Sequence, residues 1–203
     1  MNRYVIGITG GIACGKTNLT DALKELGANV IDADEVSRAL TAPGGDALIP
    51  IRTVFGDGVF RDGDLDRRAL GSIVFSDPDK KKLLEDILHP MIRNRIAFLL
   101  DRAEGIVFLS APLLFECGYE KICDEVWCVY VPQKEQLRRL MARDRLTRAE
   151  ALKRIGSQWP ALRKARLSDV VIRTDGTPEE SKEKVTGLYR DRKETRLAER
   201  SLQ

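Results

Sequence analysis

Short apolar runs alternate with amphipathic stretches along the chain, and the pattern changes character only in its second quarter. Residues 3–9 carry Val5, Ile6 and Ile8 in a β-branched run that predicts a buried strand, and residues 18–26 place Leu19, Ala22, Leu23 and Leu26 at helical spacing. Gly27 is a plausible helix stop, and residues 29–33 read as a second short strand that delivers Asp32 and Asp34 at its end. From 35 to 104 the pattern turns to helices and turns with no convincing strand. Helices are expected over 46–55 and 66–75, separated by a glycine- and aspartate-rich connection at 56–64. Asp77-Pro78 is a helix start, and Pro90 predicts a break at His89 with a second helix over 90–102.

The strand pattern then resumes at 106–109 and at 126–131. Helices are expected over 134–143 and 146–157, a fifth strand over 169–172, and a last charged helix from Thr177-Pro178. Strands separated by helices imply an α/β fold, a parallel sheet with helices on both faces. The helical block reads as an insertion, which gives a core of residues 1–34 and 105–203 and an inserted domain of 35–104.

Composition adds little to that picture and excludes some alternatives. The 203 residues suffice for one domain with a small insertion, and 32% charged with 43% hydrophobic residues is ordinary for a globular enzyme. A net charge of +3 is too small to imply nucleic acid and suits a protein that handles phosphate esters. The longest apolar stretch, 106–115, is too short to span a membrane, and a strand running straight into a loop leaves no room for a cleaved signal. Four cysteines without a C-x-x-C pair and a single histidine give neither a zinc pattern nor a required disulfide. A cytoplasmic protein with no membrane, nucleic-acid or obligate protein partner is expected.

Chemistry enters at residues 10–17, Gly-Gly-Ile-Ala-Cys-Gly-Lys-Thr, a full match to G-x-x-x-x-G-K-[ST]. Gly11, Ile12, Ala13, Cys14 and Gly15 are expected to curl their N–H groups around a phosphate chain. Lys16 reaches the terminal phosphates, the Thr17 hydroxyl is a ligand for a phosphate-bound Mg²⁺, and Asn18 follows in the first turn. Strand, glycine loop and helix in that order supply the anion site with a helix dipole.

Asp32 and Asp34 lie at a strand's carboxyl end, where open α/β sheets hold their ligands. Asp34 could take a proton from an acceptor hydroxyl, or serve as a helix N-cap, and the two roles are compatible. The arginines at 138, 139, 143, 145, 148 and 154 read mostly as a solvated face, with Arg143 the candidate to clamp a transferring phosphoryl. His89 either packs beside Pro90 or contacts substrate. Cys14, at a helix N-terminus, is expected to have a lowered thiol pKa. Trp127 and Trp159 are expected in core packing.

Longer segments carry a more specific resemblance. The run at 8–17, Ile-Asp-Ala-Asp at 31–34, Leu-Asp-Arg at 65–67, Leu-His-Pro at 88–90 and Pro-Leu-Leu-Phe-Glu at 112–116, with Leu146-Thr147, Arg154-Ile155 and Ser157-Gln158, resemble the dephospho-coenzyme A kinases over nearly the whole chain. The resemblance implies a P-loop kinase fold with a five-stranded parallel sheet, a helical acceptor-substrate domain and a small lid at about 143–158. It implies ATP as donor, Mg²⁺, and phosphorylation of the ribose 3′-hydroxyl of dephospho-coenzyme A. On that footing Asp34 is the base, Lys16 and Thr17 hold the donor phosphates with the metal, and Arg143 is the lid arginine. Asp32, Arg67, His89, Pro112, Leu113 and Glu116 face the acceptor. Ala13, Cys14, Asn18, Ser110 and Thr174 depart from the residues usual in that family. Other readings are a P-loop kinase for a nucleoside monophosphate, shikimate or gluconate, and a nucleotide-dependent switch.

Overall fold

The computed structural model describes residues 3–201. Its main sheet has five strands in the order β2-β5-β1-β6-β7: β1 (Arg3–Gly10), β2 (Asn29–Asp32), β5 (Gly105–Ser110), β6 (Glu125–Tyr130) and β7 (Val170–Arg173). β1 pairs in parallel with β5 (Ile6 opposite Phe108) and with β6 (Ile8 opposite Trp127), and β6 pairs in parallel with β7. This is the α/β architecture the alternation predicts. A central strand flanked on both edges and covered on both faces must be apolar throughout, which is why residues 5–10 are all buried.

The chain divides into two compact units, residues 1–30 with 103–203, and residues 31–102. In the first, α1 (Lys16–Glu25) and α9 (Pro178–Ser201) contribute Leu19, Leu23, Val185 and Tyr189 to a core with Ile6, Ile8, Phe108, Trp127 and Ile172. Phe108 makes edge-to-face contacts with both Trp127 and Tyr189, each at 5.4 Å between ring centres. The same unit holds α6 (Gln133–Asp144), α7 (Arg148–Gly156) and α8 (Ala161–Leu167). α8 is absent from the sequence reading, because its seven residues, ALRKARL, are too few and too basic to display an apolar face.

The second unit contains α2 (Ala33–Leu40), α3 (Leu48–Phe55), α4 (Arg67–Ser76) and α5 (Pro78–Asp101). Three of these helices start on an aspartate. Asp32, Asp66 and Asp77 each accept two backbone N–H bonds from the first turn that follows.

Two expectations fail here. The connection at 56–64 is not strandless, since β3 (Phe60–Arg61) and β4 (Asp64–Leu65) form a small antiparallel hairpin. Asp62 and Gly63 turn it, both at positive φ, the conformation that Asp-Gly favours. The break at His89 does not occur either. α5 runs unbroken for 24 residues through Pro90, because one missing N–H is outweighed by a secure N-cap at Asp77 and by Ile92, Ile96 and Leu100 buried in the second half.

Candidate active site: a braced phosphate loop

The phosphate loop leaves β1 at Gly10 and enters α1 at Lys16, and each side of it is fixed by a side chain from elsewhere in the same unit. The Cys14 N–H donates to Gly11 O at 3.1 Å and closes the turn. Gly15 has φ of 91°, a left-handed conformation that suits glycine. A Cβ on Gly11 would fall 2.5 Å from Gln136 Nε2, so only glycine admits that neighbour. Gln136 donates to Ile12 O at 2.9 Å, the Ile12 N–H donates to Gln158 Oε1 at 3.2 Å, and the Thr174 hydroxyl donates to Cys14 O at 2.6 Å. Ala13 stands at φ of 59°, a region that costs a non-glycine residue about 1–2 kcal/mol.

Lys16 sits at the first position of α1, where its ammonium donates to the Ser110 hydroxyl at 2.6 Å. Ser110 is fully buried at the end of β5. Thr17 and Asn18 follow, both exposed. Exposed hydroxyl and amide groups in the first turn of a helix that follows a glycine-rich loop suit a polyphosphate and its cation.

After β5 the chain turns through Pro112, Leu113 and Glu116, and a buried network holds this turn. Pro112 O accepts from the Thr9 hydroxyl at 3.2 Å and from the ammonium of Lys164, in α8, at 2.5 Å. Lys164 is fully buried and pairs with Glu116 Oε1 at 2.8 Å, and the same oxygen accepts from the Trp159 N–H at 2.9 Å. Glu116 Oε2 is buried and has no hydrogen-bond partner among the described residues. Trp159 is not a core residue as expected. It is half-buried, stacked parallel to Phe115, with the Arg163 guanidinium 3.4 Å over its ring. Trp127 is fully buried, as expected.

The arginine cluster divides by partner. Arg138 and Arg139 both bind Glu135 and hold its carboxyl down to about 2. Arg139 also donates to Thr174 O at 2.6 Å, which ties α6 to the residue bracing Cys14. Arg143, exposed in the last turn of α6, forms a two-point pair with Asp144 at 2.8 and 3.1 Å, and Arg154 of α7 binds the same carboxylate at 2.7 Å. Asp144 is consequently held below the usual carboxylate range, first by the Arg143 hydrogen bond.

Cys14 reverses its expectation. Burial pushes the thiol up, outweighing the hydrogen bonds and positive charges that pull it down. Its side chain is fully enclosed in the core, so the helix N-terminus does not create a reactive thiolate.

Asp32, Asp34, Arg67 and His89 belong to the second unit. The strand expected to reach Ala33 ends at Asp32, so the two aspartates do not alternate along one strand. Asp32 is the N-cap of α2 and accepts from Asp34 N at 2.9 Å and Glu35 N at 3.1 Å. The cap anticipated at 34 is therefore at 32, because the chain turns helical two residues earlier. Asp34 lies exposed in the first helical turn with its carboxylate where the helix dipole favours negative charge. Arg67 Nη2 donates to Arg38 O and Thr41 O, at the carboxyl end of α2. His89 is half-buried midway along α5.

Sequence reasoning missed Gln136, Lys164 and the bracing part played by Thr174, and it quoted Gln158 without a role. Their signal is weak, since a buried glutamine or lysine reads as a surface residue until its partners are known.

With this geometry in view, comparison with known proteins is decisive. A family model described as CoaE, dephospho-CoA kinase, matches residues 4–180. The chain belongs to the dephospho-CoA kinase family. It is 44% identical to the dephospho-CoA kinase of Geobacter sulfurreducens over 193 residues, which cover 93% of this chain and 98% of that one. Among solved structures, TT1252 from Thermus thermophilus is similar with a TM-score of 0.79 at 35% identity, covering 94% of this chain and 98% of that one. The dephospho-CoA kinase of Campylobacter jejuni has a TM-score of 0.74 at 28% identity, covering 95% and 98%. The chain is thus a P-loop kinase, and no helix among its described residues is long and apolar enough to cross a membrane.

Proposed function

We propose that this kinase transfers the γ-phosphoryl group of ATP to the ribose 3′-hydroxyl of dephospho-coenzyme A, giving coenzyme A and ADP. The observation that carries the reading is the braced loop at 10–17 in a chain that matches dephospho-CoA kinases over nearly its whole length. The loop N–H groups and Lys16 hold the donor phosphates, with charge-assisted hydrogen bonds that strengthen as negative charge gathers on the transferring group. Asp34 accepts the proton of the 3′-hydroxyl as its oxygen bonds to phosphorus and the bond to ADP breaks. Arg143, released from Asp144 when the segment at 143–158 acts as a lid, brings a planar guanidinium to the equatorial oxygens.

Thr17 fits the family's magnesium ion, because its hydroxyl is a hard oxygen donor, exposed beside the loop amides. Held there, the ion would neutralise charge on the donor phosphates.

Residues 35–104 serve as the acceptor domain, with Asp32 positioning Asp34, and Arg67 and His89 facing substrate. Pro112, Leu113 and Glu116 also bind the acceptor. The unpartnered Glu116 Oε2 supports that role, as a buried carboxylate oxygen is costly until a donor reaches it. The enzyme works in the cytoplasm without an obligate partner.

The test is ADP release in the presence of dephospho-coenzyme A, shikimate, gluconate or a nucleoside monophosphate. Turnover with dephospho-coenzyme A alone is expected. Faster turnover with another acceptor, or ATP hydrolysis only with a protein partner present, would replace this reading.

A further inference from the structure

Ile12 and Ala13 lie in the phosphate loop, yet their side chains pack on an apolar cluster that binds no phosphate. That cluster is Leu140 of α6 with Ala151 and Ile155 of α7, joined by Leu137, Met141 and Leu146. Leu140 and Ala151 are fully buried and Ile155 nearly so, which keeps all three from any ligand. A phosphate loop works through its backbone N–H groups, so the side chains at these two places have no required task. Here they are built into the packing of α6 against α7.

The backbone makes this arrangement consequential. Ala13 is held left-handed at φ of 59°, a conformation that glycine adopts freely and alanine resists. Something outside the loop must hold it. Its neighbour Ile12 is gripped at both ends of its backbone, by Gln136 of α6 at the carbonyl and by Gln158, beyond α7, at the N–H. Cys14, on the other side of Ala13, is held by Gly11 O at its N–H and by the Thr174 hydroxyl at its carbonyl, and the side chains of Ile12 and Ala13 add a restraint of their own, set against Leu140, Ala151 and Ile155.

We propose that Ile12 and Ala13 are positioning residues that make the shape of the phosphate loop depend on the packing of α6 against α7, so that a buried apolar cluster sets nucleotide affinity at a distance. Loosening the cluster frees Ala13 to leave its left-handed conformation, and the loop N–H groups then lose their common aim. A glycine at 13 holds the same conformation without help and uncouples the two. The proposal rests on nucleotide binding at this loop.

A double-mutant cycle tests it, with ATP affinity read by calorimetry on wild type, Ile155→Ala, Ala13→Gly and the pair. Ile155→Ala is expected to weaken ATP binding about 5- to 10-fold with Ala13 present and by about 2-fold or less with Gly at 13, the non-additivity of coupled sites. Amide exchange at residues 12–16 should quicken on Ile155→Ala only in the Ala13 background. Should Ile155→Ala fail to fold, Ile155→Val carries the same cycle with a smaller cavity. Equal weakening in both backgrounds, or none in either, overturns the proposal. A wild-type protein that binds no ATP would remove the nucleotide reading and this inference with it.

Discussion

The ammonium of Lys16 donates to the hydroxyl of Ser110 at 2.6 Å, so the loop lysine is anchored by a neutral side chain buried at the end of β5. A hydroxyl orients an ammonium without neutralising it. An ammonium at this place is worth most where charge develops in the transition state.

Lys16→Ala is expected to keep the fold and lower kcat on the order of 10²-fold or more. Ser110→Ala should cost far less, because the charge survives the loss of its support. Circular dichroism and steady-state turnover check both. A folded Lys16→Ala enzyme with near-normal kcat would remove the lysine from the chemistry.

Arg143→Ala should lower kcat more than it raises the KM for ATP, and Arg143→Lys should recover only part of the loss, since an ammonium lacks the planar fork. Asp144→Asn is informative in the opposite direction. It weakens the hold on Arg143, so kcat should stay near wild type. A rise in the KM for ATP alone in Arg143→Ala would make this residue a ground-state binder.

The Lys164–Glu116 pair predicts a stability effect. Lys164→Ala leaves a partly buried carboxylate without its cation and should cost about 3–5 kcal/mol in urea unfolding. Lys164→Met keeps most of the packing while removing the ammonium, so it should cost less. Equal stability of Lys164→Ala and wild type would show the pair to be unimportant to the turn at Pro112.

Glu125, at the start of β6, predicts a pH dependence. Burial pushes its pKa up, but the hydrogen bonds of Arg192 and Trp127 outweigh that and hold it below the usual value. A group whose pKa is lower folded than unfolded stabilises above its unfolded pKa, and the stabilisation is lost as pH falls through the folded value. Acid unfolding should therefore begin at higher pH in Arg192→Ala, measured by thermal melts between about pH 3 and 7. An unchanged pH profile would contradict the assignment.

How far the sequence could be read depends on which physical signal each residue leaves. The strands of the main sheet were legible because burial on both faces makes a continuous apolar run, and the phosphate loop because its backbone requires glycine at 15 and its anion site a cation at 16. α8 was not, since its role is to carry one buried lysine to a carbonyl 52 residues earlier, and a lysine carries no mark of burial. Pro90 misled because local chain stereochemistry was weighed without the tertiary packing of Ile92, Ile96 and Leu100. The cap expected at Asp34 lies two residues earlier, at Asp32, the ordinary uncertainty of a strand-to-helix junction. The bracing of Ile12 by two glutamines depends on groups far apart in sequence, which no local pattern reveals.

The central claim is that Asp34 takes the proton of the acceptor hydroxyl, and Asp34→Asn tests it most directly. Steady-state turnover with dephospho-coenzyme A is measured beside ATP affinity by calorimetry, with Asp32→Asn for comparison. Asparagine caps a helix about as well as aspartate, so Asp32→Asn should stay folded and lose little. Asp34→Asn should lose about 10²- to 10⁴-fold in kcat with ATP affinity little changed. Normal turnover in Asp34→Asn, with or without a dead Asp32→Asn, would contradict the mechanism.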